Sequence, residues 1–249
     1  MKTIICENSQ NPLFEAAADL ICRQVMNAGR DSVLALACGE TMKPLWARLC
    51  TLCGEDRLSL QDARILCVTE LCGVEETKSC RHALTEGLLK ETDAKPENCF
   101  FPDPDAPEET ERLIESLGGI DLAVLGIGED CHIGYNEPGA LFESRTHVQK
   151  LTDRTKRQLL KRGFCDADMP EEAVTMGIGT LCEARQILLL ASGTEKAAAV
   201  YQMLYAKTTS YIPAAYLQIP PEVTVLLDRD AAEKLQGDFI PMRVRNNIM

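Results

Sequence analysis

Several short runs of this sequence are apolar at almost every position, not at every second one. Ser32–Cys38 (SVLALAC), Asp121–Ile127 (DLAVLGI), Gln186–Ala191 (QILLLA) and Val223–Leu227 (VTVLL) are the clearest, and Arg64–Thr69 (RILCVT) joins them. A strand with one face in water alternates apolar and polar residues. A strand buried on both faces does not, and it belongs in a parallel sheet covered by helices on each side. The stretches between the runs supply those helices. From Asn11 onward, Leu13, Ala17, Leu20, Ile21, Val25 and Ala28 recur at helical spacing, with Pro12 near the start and Gly29 as a stop. Further helices are expected around Leu45–Leu52, Ser79–Lys90, Glu108–Leu117, Asp153–Arg162, Thr194–Ala206 (with Thr194 as cap) and Asp230–Leu235. No repeat, low-complexity tract or linker interrupts the pattern. The expectation is one doubly wound α/β domain over residues 1–249, with its ligand beyond the carboxyl ends of the strands.

Composition removes several functions. The 26 Lys and Arg against 38 Asp and Glu leave a net charge of −12. So acidic a chain repels phosphate backbones and anionic lipid at long range, so neither nucleic acid nor a membrane surface is an expected partner. Aromatics make up only 5%, with the single tryptophan Trp46, too few for a base-stacking platform. No apolar run reaches the roughly 18–20 residues of a membrane span. Met1–Gln10 lacks the basic and apolar regions of a secretory leader. The twelve cysteines are therefore read as reduced thiols of a cytoplasmic protein. Cys50 and Cys53 form the one close CxxC pair, and Cys80 and His82 are too isolated to complete a zinc tetrad, so no metal is expected. His82 and His147 read as ordinary polar residues.

Three strand-end loops are candidates to carry chemistry, beside the plainer reading of each as an ordinary polar turn. Gly128-Glu129-Asp130-Cys131-His132, continuing through Asn136-Glu137-Pro138, packs carboxylates around one of only three histidines. A carboxylate bonded to one ring nitrogen fixes the tautomer and raises the basicity of the other, which makes a proton shuttle. Cys38-Gly39-Glu40-Thr41 joins a strand to a helix N-terminus, a place suited to an anion. Glu40 would repel a phosphate there unless turned away or neutralised. Ser192-Gly193-Thr194-Glu195-Lys196 repeats the arrangement with an ammonium in the first turn. The basic run Arg154, Lys156, Arg157, Lys161, Arg162 has the pattern of a solvated helix face.

Together these segments resemble the glucosamine-6-phosphate deaminase/isomerase family and its galactosamine-6-phosphate relatives. The stretch Ile120–Gly139 (IDLAVLGIGEDCHIGYNEPG) carries most of the likeness, and its His-x4-Asn-Glu-Pro portion is specific. The sister family, 6-phosphogluconolactonase, resembles the Gly-x-Gly-x-Asp-x-His part and typically lacks Asn-Glu-Pro. Ala173–Leu181, Leu188–Ala198 and Ile212–Gln218 extend the similarity, which runs roughly from Ser32 to Leu227. The resemblance implies a Rossmann-like three-layer sandwich with a mainly parallel sheet. It implies conversion of an amino-sugar 6-phosphate and water into a ketose 6-phosphate and ammonia, without metal or redox cofactor. Carried over by position, His132 would be the ring-opening acid/base, and Asp130 and Glu137 would orient it. Cys38, Gly39, Glu40, Thr41, Gly128, Arg162 and Lys196 would surround the substrate and its phosphate.

The departures are as informative. Family members carry an Asp-Glu pair after the second strand, and that Asp takes the C2 proton. Here the strand ends Val68-Thr69-Glu70-Leu71, so Thr69 stands at that position. A hydroxyl is a far weaker base than a carboxylate. Glu70 lies next to it, but adjacent residues of an extended segment face opposite sides, so its use as a base would require the loop to rearrange. Cys38 replaces a threonine, Glu40 a glycine, and Cys131 a glycine before the histidine. Altered substrate or lost turnover follows from such changes. A sugar-phosphate binder without turnover and a lactone hydrolase therefore remain alternatives. A homo-oligomer is compatible with the chain, whose sequence fixes neither oligomeric state nor sugar epimer.

Overall fold

The computed structural model describes residues 2–6, 10–28, 31–161 and 163–235. Gly29 and Arg162, singled out above, lie outside the described residues. In chain order the strands are β1 (Lys2–Cys6), β2 (Val33–Leu36), β3 (Arg64–Cys67), β4 (Thr69–Leu71), β5 (Cys99–Phe100), β6 (Leu122–Gly126), β7 (His147–Lys150), β8 (Glu172–Thr175), β9 (Gln186–Ala191) and β10 (Val223–Asp228). The helices are α1 (Gln10–Ala28), α2 (Lys43–Gly54), α3 (Cys80–Gly87), α4 (Pro107–Ser116), α5 (Asp153–Lys161), α6 (Ile178–Cys182) and α7 (Ala197–Tyr205).

Seven strands form one parallel sheet in the order β1-β10-β9-β6-β2-β3-β5. The continuous apolar strands have the predicted cause. Leu34 and Leu36 of β2 belong to a core with Leu13, Ile21, Trp46 and Leu49 of α1 and α2. Their neighbours Val33 and Ala35 belong to the core on the other face, with Ile178, Val200 and Met203 of α6 and α7. Alternation persists along the strand, but both faces are dry. Each leucine buried this way contributes about 1.5–3 kcal/mol relative to exposure. The result is a three-layer α/β fold.

Strand order reverses between β2 and β6. The chain runs from β2 outward through β3 to β5, then returns to place β6 on the other side of β2. A crevice opens beyond the carboxyl ends at such a switch point. It lies between the segments that follow β2 and β6.

Three of the differences from the sequence reading concern elements it had placed. Thr69 does not continue β3: the chain leaves the main sheet at Val68, and Thr69 opens β4 of a small antiparallel sheet, β4-β8-β7, pairing with Thr175. Residues 230–235 form turns instead of a helix: the N–H groups of Glu233 and Leu235 bond the carbonyls of Asp230 and Ala232, three residues back and not four. Thr194 does not cap a helix; residues Thr194–Lys196 form a single 3-10 turn that leads into α7.

Candidate active site

A cleft of about 260 Å³ occupies the switch point. Its walls include the Ala37–Met42 segment after β2, Thr69, Gly128, Glu129 and His132 after β6, and Glu195 and Lys196 ahead of α7. The structure thus brings Cys38, Gly39, Glu40, Thr41, Thr69, Gly128, His132 and Lys196 around one space.

The loop after β6 is built to hold the imidazole. Gly128 N donates to His132 O at 2.9 Å, and Cys131 N donates to Gly128 O at 3.0 Å. The turn needs a left-handed residue, and Cys131 supplies it at φ +68°. A side chain there costs roughly 1–2 kcal/mol relative to the right-handed region. The thiol is buried, its Sγ within 3.5 Å of Gln202 Oε1, and burial pushes it up to about 11, with Asp130 adding to the rise. Substitution of the expected glycine is therefore accommodated. Asn136 braces the loop from below. Fully buried, it donates from Nδ2 to the carbonyls of Ile133 (2.9 Å) and Met176 (2.8 Å).

His132 Nδ1 faces Asp130 Oδ1 at 2.7 Å, with the two side chains 11% and 6% exposed. The pair is close, although its angle departs from a straight hydrogen bond. Glu137 is buried and receives Thr152 N and Thr152 Oγ1, both at 3.2 Å. Donor atoms of Asp130, His132 and Glu137 all lie within 4.8 Å of one another. A divalent cation would accept that spacing. Nδ1 has its acidic partner, and Glu137 is held by Thr152.

Burial alone would raise the Asp130 carboxyl, but the adjoining His132 ring and nearby backbone N–H groups outweigh it and leave the group below its ordinary value. A depressed carboxyl contributes stability at pH values above its unfolded pKa of about 4, and that contribution fades as pH falls through the folded value. Asp130→Asn is expected to flatten the acid limb of stability. Urea unfolding of both proteins between pH 5 and pH 3 measures it, and parallel curves would refute the assignment.

Glu70 is elsewhere. Its Oε1 receives Leu71 N (2.8 Å) and Cys80 N (2.7 Å), and its Oε2 receives Arg81 N (2.8 Å). The carboxylate is fixed at the N-terminus of α3, where the exposed N–H groups and the helix dipole favour it. Glu70 is not among the residues lining the cleft. Thr69 lines it alone, with its Oγ1 3.6 Å from Cys80 Sγ. Beside it the Cys38 thiol is raised, chiefly by the Cys67 and Cys80 thiols and then by burial.

Glu40 stands at the cleft but pairs with Lys43 at 2.8 Å, both side chains more than half exposed. That resolves the conflict noted in the sequence, because the carboxylate is drawn toward its own cation. Several contributors escaped the sequence reading. Lys161 and Gln158 of α5 line the cleft, so part of the basic run faces inward; Lys161 Nζ lies 3.5 Å from Glu129 Oε1. Tyr135 closes one side, its ring centroid 6.3 Å from that of His132. Asp228 receives Ser192 Oγ (2.6 Å) and Gly193 N (3.1 Å), and so pins the turn that presents Lys196. The α5 residues follow helical spacing from Thr155 through Gln158 to Lys161, but which face meets the cleft depends on packing.

Among the described residues no helix is long and apolar enough to cross a membrane. The eleven cysteines from Cys22 to Cys182 are unpaired.

Comparison with known proteins agrees with this geometry. Residues 8–226 match the family described as glucosamine-6-phosphate isomerases/6-phosphogluconolactonase. A glucosamine-6-phosphate deaminase of Bacillus velezensis is 37% identical over 241 residues, covering 93% of this chain and 99% of the relative. Its counterpart in a Geobacillus species is 39% identical over 240 residues, covering 93% and 94%. The solved structure of a monomeric glucosamine-6-phosphate deaminase superposes with a TM-score of 0.88 at 36% identity, over 94% of this chain and 99% of that one. A 6-phosphogluconolactonase of Trypanosoma brucei shares the fold, with a TM-score of 0.75 at 22% identity over 95% and 99% of the two chains. Matched along nearly its whole length, and with its histidine loop at the switch-point cleft, the chain belongs to the glucosamine-6-phosphate isomerase/6-phosphogluconolactonase family.

Proposed function

We propose that the protein is an amino-sugar 6-phosphate deaminase/isomerase whose C2 base is altered. The buried Asp130–His132–Glu137 relay, opening on a cleft that also holds Lys161 and Lys196, carries this reading. The two ammonium groups and the strand-end loop at Cys38–Thr41 suit a phosphate monoester. His132 then passes a proton between the ring oxygen and the C1 hydroxyl, which opens the sugar, while Asp130 and Glu137 hold its tautomer and stabilise its charged form. The later steps, loss of the C2 proton and reprotonation at C1, are proton transfers as well, so the reaction requires no metal and no redox cofactor. With Thr69 at the position of the C2 base, removal of that proton limits turnover. Free thiols from Cys22 to Cys182 favour a reducing, cytoplasmic compartment.

Glucosamine 6-phosphate and galactosamine 6-phosphate, supplied separately to the purified protein, are expected to release ammonia with saturation kinetics. The preferred epimer identifies the substrate. Neither ammonia nor saturable binding with either sugar would sink the reading. Saturable binding without ammonia selects a sensor, which the buried Thr69 hydroxyl favours. Acid production from 6-phosphogluconolactone in place of ammonia would select the hydrolase.

A further inference from the structure

Two glutamates of the cleft meet lysines, and the two pairs differ in kind. Glu40 is drawn to Lys43, which is not among the residues that line the cleft. Glu129 is drawn to Lys161, which does line it, with Oε1 3.5 Å from Nζ. A cation suited to an entering phosphate is therefore already engaged by a carboxylate of the protein. Helix α5 holds Glu129 at a second point, where Arg154 Nη2 donates to the Glu129 carbonyl at 2.9 Å. Arg154 and Lys161 stand two turns apart on one face of α5. The first grips the backbone of Glu129 and the second its side chain, so the carboxylate stays within reach of the ammonium.

We propose that Glu129 is a built-in competitor of the substrate phosphate for Lys161, and that the anion binds by displacing it. This rests on the sugar-phosphate reading of the cleft. The exposures fit an exchange of partners. The Lys161 side chain is 72% exposed and that of Glu129 26%. An ion pair so open to water is weak and easily parted. A phosphate monoester carries roughly −1.5 to −2 charges against the single charge of the carboxylate, so the ammonium gains by the change. Every anion that takes Lys161 must first part the pair. A sugar phosphate recovers that cost through contacts to its sugar, and free phosphate does not.

The test is a double-mutant cycle read by calorimetric titration at low ionic strength, with inorganic phosphate and with glucosamine 6-phosphate. It compares the wild type, Glu129→Gln, Lys161→Gln and the double variant. Glu129→Gln should bind both ligands more tightly, a gain that misfolding cannot produce. Removing a negative charge near the phosphate would do as much without any exchange, so the coupling decides. Lys161→Gln should weaken binding roughly two- to five-fold more in the Glu129→Gln background than in the wild type, the factor that an exposed ion pair supplies. Coupling of that sign means that the attraction between Lys161 and Glu129 is lost when the anion binds. Additive effects, or weaker binding of glucosamine 6-phosphate by Glu129→Gln, overturn the proposal, while saturable binding by the wild type still supports the sugar-phosphate reading. Failure of the wild type to bind either ligand overturns both.

Discussion

Thr69→Asp is expected to raise the rate of ammonia release from the preferred amino-sugar 6-phosphate by about 10²–10⁴-fold, the range that a well-placed general base contributes. Thr69 is buried at 4% exposure and lines the cleft, fixed by its pairing with Thr175 across β4 and β8. Aspartate has nearly the same volume, so the change introduces a carboxylate without enlarging the side chain. The surroundings favour its use as a base. Cys80 Sγ lies 3.6 Å from the hydroxyl it would replace, and desolvation beside neutral thiols raises a carboxyl toward neutrality. Activity should therefore increase with pH as the new group loses its proton. No other carboxylate is poised to mask the gain from this strand, since three backbone N–H groups hold Glu70 at α3. Thr69→Asn is the control, equal in size and without a base. An ammonia assay on both variants decides the matter: if Thr69→Asp is no faster than Thr69→Asn, this position does not face C2.

The main sheet was legible because burial on both faces writes itself into sequence as unbroken apolar runs. β6 and β9 were read to within a residue or two for that reason. β5 has only two residues and β4 three, too few for any periodicity to register. β7 reads His147-Val148-Gln149-Lys150, with polar residues at three of four positions, and becomes a strand only because β8 is there to pair with it. In the site, the histidine loop was readable because its residues are contiguous. Residues that act from other elements were not. Thr152 becomes the partner of Glu137 through a contact between segments 15 positions apart, and Asp228 reaches the Lys196 turn across 35 or more. Glu70 shows the converse. Beside Thr69 in sequence, it could serve as a base only if the loop rearranged, and α3 begins close enough to claim its carboxylate. Alternation along a strand says that two neighbours diverge; it does not say what waits on the far side.

Gly128→Ala should cost about 10²-fold in turnover, comparable to a misplacement of the reacting group by 1 Å. A Cβ on Gly128 would lie 2.4 Å from Cε1, 2.5 Å from Nδ1 and 2.6 Å from Nε2 of His132. Those contacts are far inside van der Waals separation, so the ring must move. Its φ is not in the left-handed region, so glycine is needed at 128 for space and not for backbone freedom. Displacing the ring separates Nδ1 from Asp130 and turns the other nitrogen away from the cleft. The fold should lose only about 1–3 kcal/mol, the usual cost of overpacking. A double-mutant cycle isolates the cause. In a His132→Ala background the imidazole is gone, and the added methyl group has nothing to strike. Gly128→Ala should then change neither residual turnover nor the urea midpoint. Equal penalties in the presence and absence of the imidazole would mean that Gly128 serves the turn itself, and the view of the glycine as the seat of the ring would be abandoned.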